Sequence, residues 1–206
     1  DRLGGWYSYF WFKNFEGSQW GLMGDGQYRV HNSFSDFQQF IFRAAGTYKV
    51  KNTDLTLAAG YAYFNSGTLG PSDDTSYENR FHQDVLLSQN IGSRVNLFQR
   101  LRLEERIVED QDFRTRLRYL FYLRVPLNQK TLGKDAFYLA GFNEVFVNGQ
   151  KDIGNGRQVP LFDRNWSAAG VGYSLSDSLR AELLYMRETT EAFTKGQLLL
   201  SVFHTL

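Results

Sequence analysis

Apolar and polar residues alternate with a period of two along most of the chain, in long segments separated by turn-forming breaks, and no 3.6-residue apolar stripe of useful length interrupts them. Eleven segments show this pattern: 3–13, 18–31, 35–51, 54–65, 76–91, 94–108, 112–127, 134–148, 161–175, 178–190 and 196–206. The pattern predicts an all-β chain. Segment 94–108 is the clearest: Val95, Leu97, Leu101, Leu103 and Ile107 share one parity, and Asn96, Arg100, Arg102, Glu104 and Arg106 the other. In 112–127, Phe113, Leu117, Tyr119, Phe121, Leu123 and Val125 stand opposite Arg114, Arg116, Arg118, Tyr122 and Arg124. In 76–91, Phe81, Val85 and Leu87 stand opposite Glu78, Arg80, His82, Asp84 and Ser88.

A soluble sandwich alternates too, so length has to decide. Sandwich strands usually run about 5–6 residues, whereas these segments reach the roughly 9–11 residues that a tilted strand needs to cross a bilayer. A closed antiparallel transmembrane barrel is the expected fold, with the apolar faces toward lipid and the charged faces toward the lumen. Asn14-Phe15-Glu16-Gly17, Lys51-Asn52-Thr53-Asp54, Asn90-Ile91-Gly92-Ser93 and Ser176-Asp177-Ser178 read as tight hairpin turns at odd-numbered breaks. The long breaks, 67–75 and 149–160, fall at even-numbered ones, so the barrel is expected to have short periplasmic turns and longer external loops. Single-chain barrels of bacteria normally have an even strand number, so eleven segments predict about 10–12 strands, with twelve preferred. Segment 196–206, ending on Leu206, reads as the closing strand. Trp6, Tyr7, Tyr9, Trp11, Trp20, Tyr28, Tyr61, Tyr63, Trp166, Tyr173 and Tyr185, toward segment ends or beside turns, suit an aromatic girdle at the membrane interfaces.

Composition narrows the rest. Hydrophobic residues make up 42% and aromatics 17%, with two Met, three Pro and no Cys, which is β-sheet chemistry with no disulfide framework or thiolate metal site. A net charge of +1 argues against a nucleic-acid partner. The apolar runs fall far short of the roughly 20 residues of a membrane-spanning helix. The chain opens at Asp1 with no charged-then-apolar leader, as a mature protein does after its signal peptide is removed. With no sharp change of composition, residues 1–206 are read as a single domain.

Several stretches together resemble the outer-membrane barrel proteins of Gram-negative bacteria grouped as domain of unknown function 2490. They are Gly26-Gln27-Tyr28-Arg29, Ala59-Gly60-Tyr61-Ala62-Tyr63, Glu78-Asn79-Arg80-Phe81, Arg100-Leu101-Arg102-Leu103-Glu104-Glu105-Arg106, Arg116-Leu117-Arg118-Tyr119 and Gly170-Val171-Gly172-Tyr173, of which the Arg-Leu-Arg-Leu-Glu run is the most specific. The resemblance covers nearly the whole chain. It implies an integral outer-membrane location and a barrel fold, and no activity.

The candidate chemistry lies on the charged faces. Arg80, Arg100, Arg102, Arg106, Arg114, Arg116, Arg118 and Arg124 meet only Glu78, Asp84 and Glu104 from the same segments, with Asp25, Glu144 and Glu182 as partners elsewhere. One reading is an anion-selective lining or a site for anionic ligands, since guanidinium forks bind such groups bidentately. The other, preferred, is a salt-bridged plug, because a barrel this narrow leaves little channel once long side chains fill it. A hydrolase centre would have to use His82 with Asp84, Glu78 or Ser88. Residues two apart on one face stand roughly 6.6 Å apart along the backbone, which predicts no direct contact and no catalytic set. His31 and His204 lie alone. Asp152-Ile153-Gly154-Asn155-Gly156 lacks the alternating carboxylates and terminal Glu of a calcium loop, and Asp73-Asp74 is no stronger, so no metal and no cofactor is expected. The preferred function is a non-catalytic accessory or scaffold subunit of an envelope assembly, contacting outer-membrane lipid and a protein partner. A narrow anion-selective pore or anionic-ligand-binding barrel comes second and a lipid-modifying enzyme third.

Overall fold

A computed structural model describes residues 3–32, 34–70, 72 and 74–206; Asp1 and Asp73 of the sequence reading lie outside them. Eleven strands follow in order: β1 (Gly4–Asn14), β2 (Trp20–Asn32), β3 (Ser35–Lys49), β4 (Leu55–Gly67), β5 (Thr75–Ile91), β6 (Val95–Val108), β7 (Arg114–Pro126), β8 (Phe137–Asn148), β9 (Phe162–Ser174), β10 (Leu179–Thr189) and β11 (Thr194–Thr205). Each coincides with one of the alternating segments. Chain neighbours pair antiparallel, and the sheet closes through β1 and β11, which run parallel from Gly4↔Gln197 to Phe12↔Thr205. The preference for twelve strands fails at this seam. A parallel ladder is only slightly weaker per residue than an antiparallel one, so an odd number closes once the first and last strands run the same way.

The β2–β3, β4–β5, β6–β7, β8–β9 and β10–β11 connections share one end of the barrel, here the loop end; the others share the turn end. Gly17, Asn52 and Gly92 take φ values of 67°, 57° and 61°, the left-handed geometry that lets turn-end hairpins reverse in a few residues. The division into long loops and tight turns is incomplete. At the loop end, β2 and β3 are joined by residues 33–34 alone, and at the turn end β7 and β8 are joined by the long connection 127–136. That connection folds inward: Ala136 is buried, Leu132 packs on the lumen core, and the Asn128 side chain donates to the Asp135 carbonyl (2.8 Å) while accepting from the Phe137 N–H (2.9 Å).

Every strand carries large exposed apolar residues on its outer face, among them Tyr9, Tyr28, Phe42, Leu57, Val85, Leu101, Leu117, Leu139, Val171, Leu183 and Leu200. Inside, β5, β6 and β7 present charges, while Trp6, Tyr122, Tyr138, Phe146, Trp166 and Met186, from β1 and β7 to β10, form an apolar cluster beside them. Trp6 and Trp166, expected in an interfacial girdle, are in that cluster with ring centroids 4.8 Å apart. Their parity, shared with Ser8 on β1 and Ala168 on β9, turns them inward, where Trp6 Nε1 donates to Gln38 (3.1 Å).

Gly172 makes room for Tyr138, since a Cβ there would meet the Tyr138 ring at 2.2 Å. Gly172→Val is expected to displace that ring and lower the urea midpoint by the equivalent of about 1–3 kcal/mol. A midpoint equal to wild type in refolding titrations would show that the ring swings aside freely.

Candidate functional site

The register of β5, β6 and β7 sets arginines directly opposite one another, Arg80↔Arg106, Arg102↔Arg118 and Arg106↔Arg114. Like charges opposed across a ladder destabilise it, so the network depends on the carboxylates between them. Glu78 accepts from Arg80 (2.6 and 2.8 Å) and from Arg106 (2.5 and 3.0 Å). Glu104, 1% exposed, accepts from Arg116 (2.9 and 2.7 Å) and Arg118 (2.7 Å), with Arg80 at 3.4 Å. Asp84 accepts both fork nitrogens of Arg102 (2.5 and 2.8 Å), and Glu144 of β8 joins Arg100 (2.8 Å) to Arg118 (2.9 Å). Arg124 pairs with Glu182 at 2.6 Å. Arg114 also faces the lumen, but makes no ion pair among the described residues, and its Nε has no hydrogen-bond partner. Aromatic faces take part of the load: Arg80 lies 3.6 Å over Phe64 and Arg118 4.3 Å over Phe146.

Three further groups complete the lumen. On β2 and β3, Arg43 grips Asp25 with two bonds of 2.8 Å, and Arg29 binds Gln27 while lying 3.7 Å over Trp6. Asp25, Gln27 and Arg29 share one parity, a signal legible in the sequence. Asp163 (2.5 Å to Arg116) and Arg164 (2.8 Å to Glu188) both point inward although they are consecutive, because the β8–β9 register shifts at Phe146/Val147. No parity rule finds such a pair. Glu182 also accepts from the hydroxyls of Tyr122 and Tyr138.

The two halves of the lumen differ. Toward the loop end stand the buried Glu78 and Glu104 clusters, with Asp163, Arg164 and Glu188. Toward the turn end lies a cavity of about 600 Å³ whose floor includes Arg43, Arg100, Arg102 and His82 and whose sides include Phe10 and Phe203. Phe10 and Phe203 stack at 4.8 Å across the β1–β11 seam.

His82 corrects one sequence expectation. Its Nδ1 stands 3.2 Å from Asp84 Oδ2, so side chains two apart on one face do meet, by leaning together. The pair is poorly aligned for a hydrogen bond, and neither ring nitrogen has a hydrogen-bond partner. His204 is on the outer wall against the Tyr9 hydroxyl, at 2.7 Å. Asp152 caps its own turn by accepting from the Gly154 N–H at 3.0 Å.

No curated protein and no solved structure matches the chain. The family described as "Protein of unknown function (DUF2490)" matches over residues 3–198, and the chain belongs to that family.

Proposed function

We propose that this protein is an integral barrel of the outer membrane that does not conduct, and that it serves as an accessory or scaffold subunit of an envelope assembly, offering its outer wall to a protein partner. The observation that carries this reading is a polar patch in the apolar outer wall. Midway along β8 and in the loop-end half of β9, the exposed Asn143 amide donates to Asn165 (3.0 Å) and to Ser167 (2.8 Å), and Asn165 donates back to Asn143 (3.1 Å). Ser167 stands opposite the exposed Arg187 of β10, and Asn143 is followed down the wall by the small pair Gly141↔Ala169. Against lipid such groups are unfavourable; between packed membrane segments, polar side chains beside small residues act as contacts.

A photo-crosslinker at Ser167 is expected to capture a protein of defined mass in native membranes, and one at Leu101 only lipid. A barrel that migrates alone in mild detergent, with no protein adduct at 167, would remove this reading. The buried ion pairs in the loop-end half of the lumen support the absence of conduction. Planar bilayers containing the barrel are expected to show no steady current, and a stable anion-selective step would shift the function to a pore.

A further inference from the structure

The geometry points to the turn-end half of the lumen as a binding site for a small anionic amphiphile: a carboxylate or phosphate head against Arg100, Arg102 and His82, with an apolar body along Phe10, Phe98 and Phe203. The site goes beyond the outer-wall reading and stands without it, since a barrel with no partner can still bind and a scaffold can have an idle lumen.

Three features build it. The first is size: about 600 Å³ is within the range of pockets that enclose small ligands. The second is charge. Seven arginines line the cavity (Arg29, Arg43, Arg100, Arg102, Arg118, Arg124 and Arg180) with three carboxylates, Asp25, Asp54 and Glu144, while Asp84, Glu182 and Glu104 behind the lining pair with Arg102, Arg124 and Arg118. Of these, Asp25 is gripped at both oxygens by Arg43, and Glu144 is shared between Arg100 and Arg118. Arg180, by the mouth, makes no ion pair among the described residues.

The third feature is unused donors at the floor. His82 is 2% exposed, lines the cavity, faces Asp84 at 3.2 Å through Nδ1 and has no hydrogen-bond partner on Nε2; buried Arg100 Nε has none either. Buried polar groups normally find partners, and an anionic oxygen entering the cavity beside Arg100 or His82 would supply one. Arg43 and Arg102 have their forks closed on Asp25 and Asp84, as Arg106 has on Glu78, which leaves Arg100 Nε, His82 and Arg180 as the open positions among the described residues of the cavity. Donors and an apolar wall coincide around this cavity. Asn14, Ser88, Asn96 and Thr205 line the same cavity at the strand ends, which gives the ligand an approach from the turn end without crossing the wall.

The test uses the full barrel in phosphatidylcholine nanodiscs, because detergent molecules are themselves amphiphiles and would compete. Decanoate, decyl phosphate, decanol and inorganic phosphate are titrated by calorimetry, with protein-free discs as the partition blank. Saturable binding of decanoate or decyl phosphate above the blank is expected, with decanol and inorganic phosphate each at least tenfold weaker. Arg100→Gln is expected to weaken the anion at least tenfold. Ser8→Trp, which fills the cavity and leaves every ion pair in place, should abolish binding, so the site remains testable even where the arginine variant fails to assemble. Discs enriched in phosphatidylglycerol identify the source: a fall in decanoate affinity marks a bilayer headgroup as the occupant, and unchanged affinity a free amphiphile. No saturable excess over empty discs, decanol binding as tightly as decanoate, or binding that survives Ser8→Trp would overturn the assignment.

Discussion

Glu104→Gln is expected to lower the urea midpoint of the liposome-refolded barrel by the equivalent of about 3–5 kcal/mol, while Glu109→Gln stays within about 0.5 kcal/mol of wild type. Glu104 is 1% exposed and holds Arg80, Arg116 and Arg118 around one carboxylate. A glutamine there keeps the shape but offers one weak acceptor to three guanidinium groups. Each arginine retains a second partner, in Glu78, Asp163 and Glu144 respectively, which places the expected loss toward the lower end of the range. Glu109 is exposed beyond the end of β6 and, among the described residues, accepts only the Tyr77 N–H at 3.2 Å, a role a glutamine oxygen can fill. Equal midpoints for the two variants would mean that water screens the loop-end lumen, and the plug would have to be abandoned.

Leu101→Arg is expected to impair assembly, with a cost of about 2–4 kcal/mol for a cation near the bilayer midplane. Leu101 is halfway along β6, points outward and is 43% exposed. In a water-soluble barrel an arginine at such an exposed position would change stability by no more than about 0.5 kcal/mol. One substitution therefore separates the two environments: loss of heat-modifiable migration supports lipid against this wall, and normal migration would deny it.

The strands were legible because a strand with water or charge on one side and hydrocarbon or apolar packing on the other must alternate, and β5, β6 and β7 do so without a break. All twelve lumen residues named from the sequence, Arg80 and Glu144 among them, face inward for that reason. The seam was not legible, since a strand's own pattern carries no mark of whether its neighbour runs with it or against it. Trp6 and Trp166 were misplaced because an aromatic near a strand end fits a membrane interface and a lumen equally, and only parity against Ser8 and Ala168 separates the two. The Asp163 pairing was hidden by a register shift. The His82–Asp84 approach was missed because backbone spacing says little about where the tips of two side chains go. The hollow half of the lumen was beyond sequence reading, because whether side chains meet across the barrel depends on how opposing walls interdigitate.

The parallel seam also limits how this fold could be rewired. In a barrel closed by antiparallel strands the first and last residues emerge side by side, and a short loop could join them while the chain is cut elsewhere. Here β1 starts at the loop end and β11 finishes at the turn end. A circular permutant would need a linker running the height of the wall, about 35 Å for a strand the length of β1, either through the occupied lumen or across the outer face.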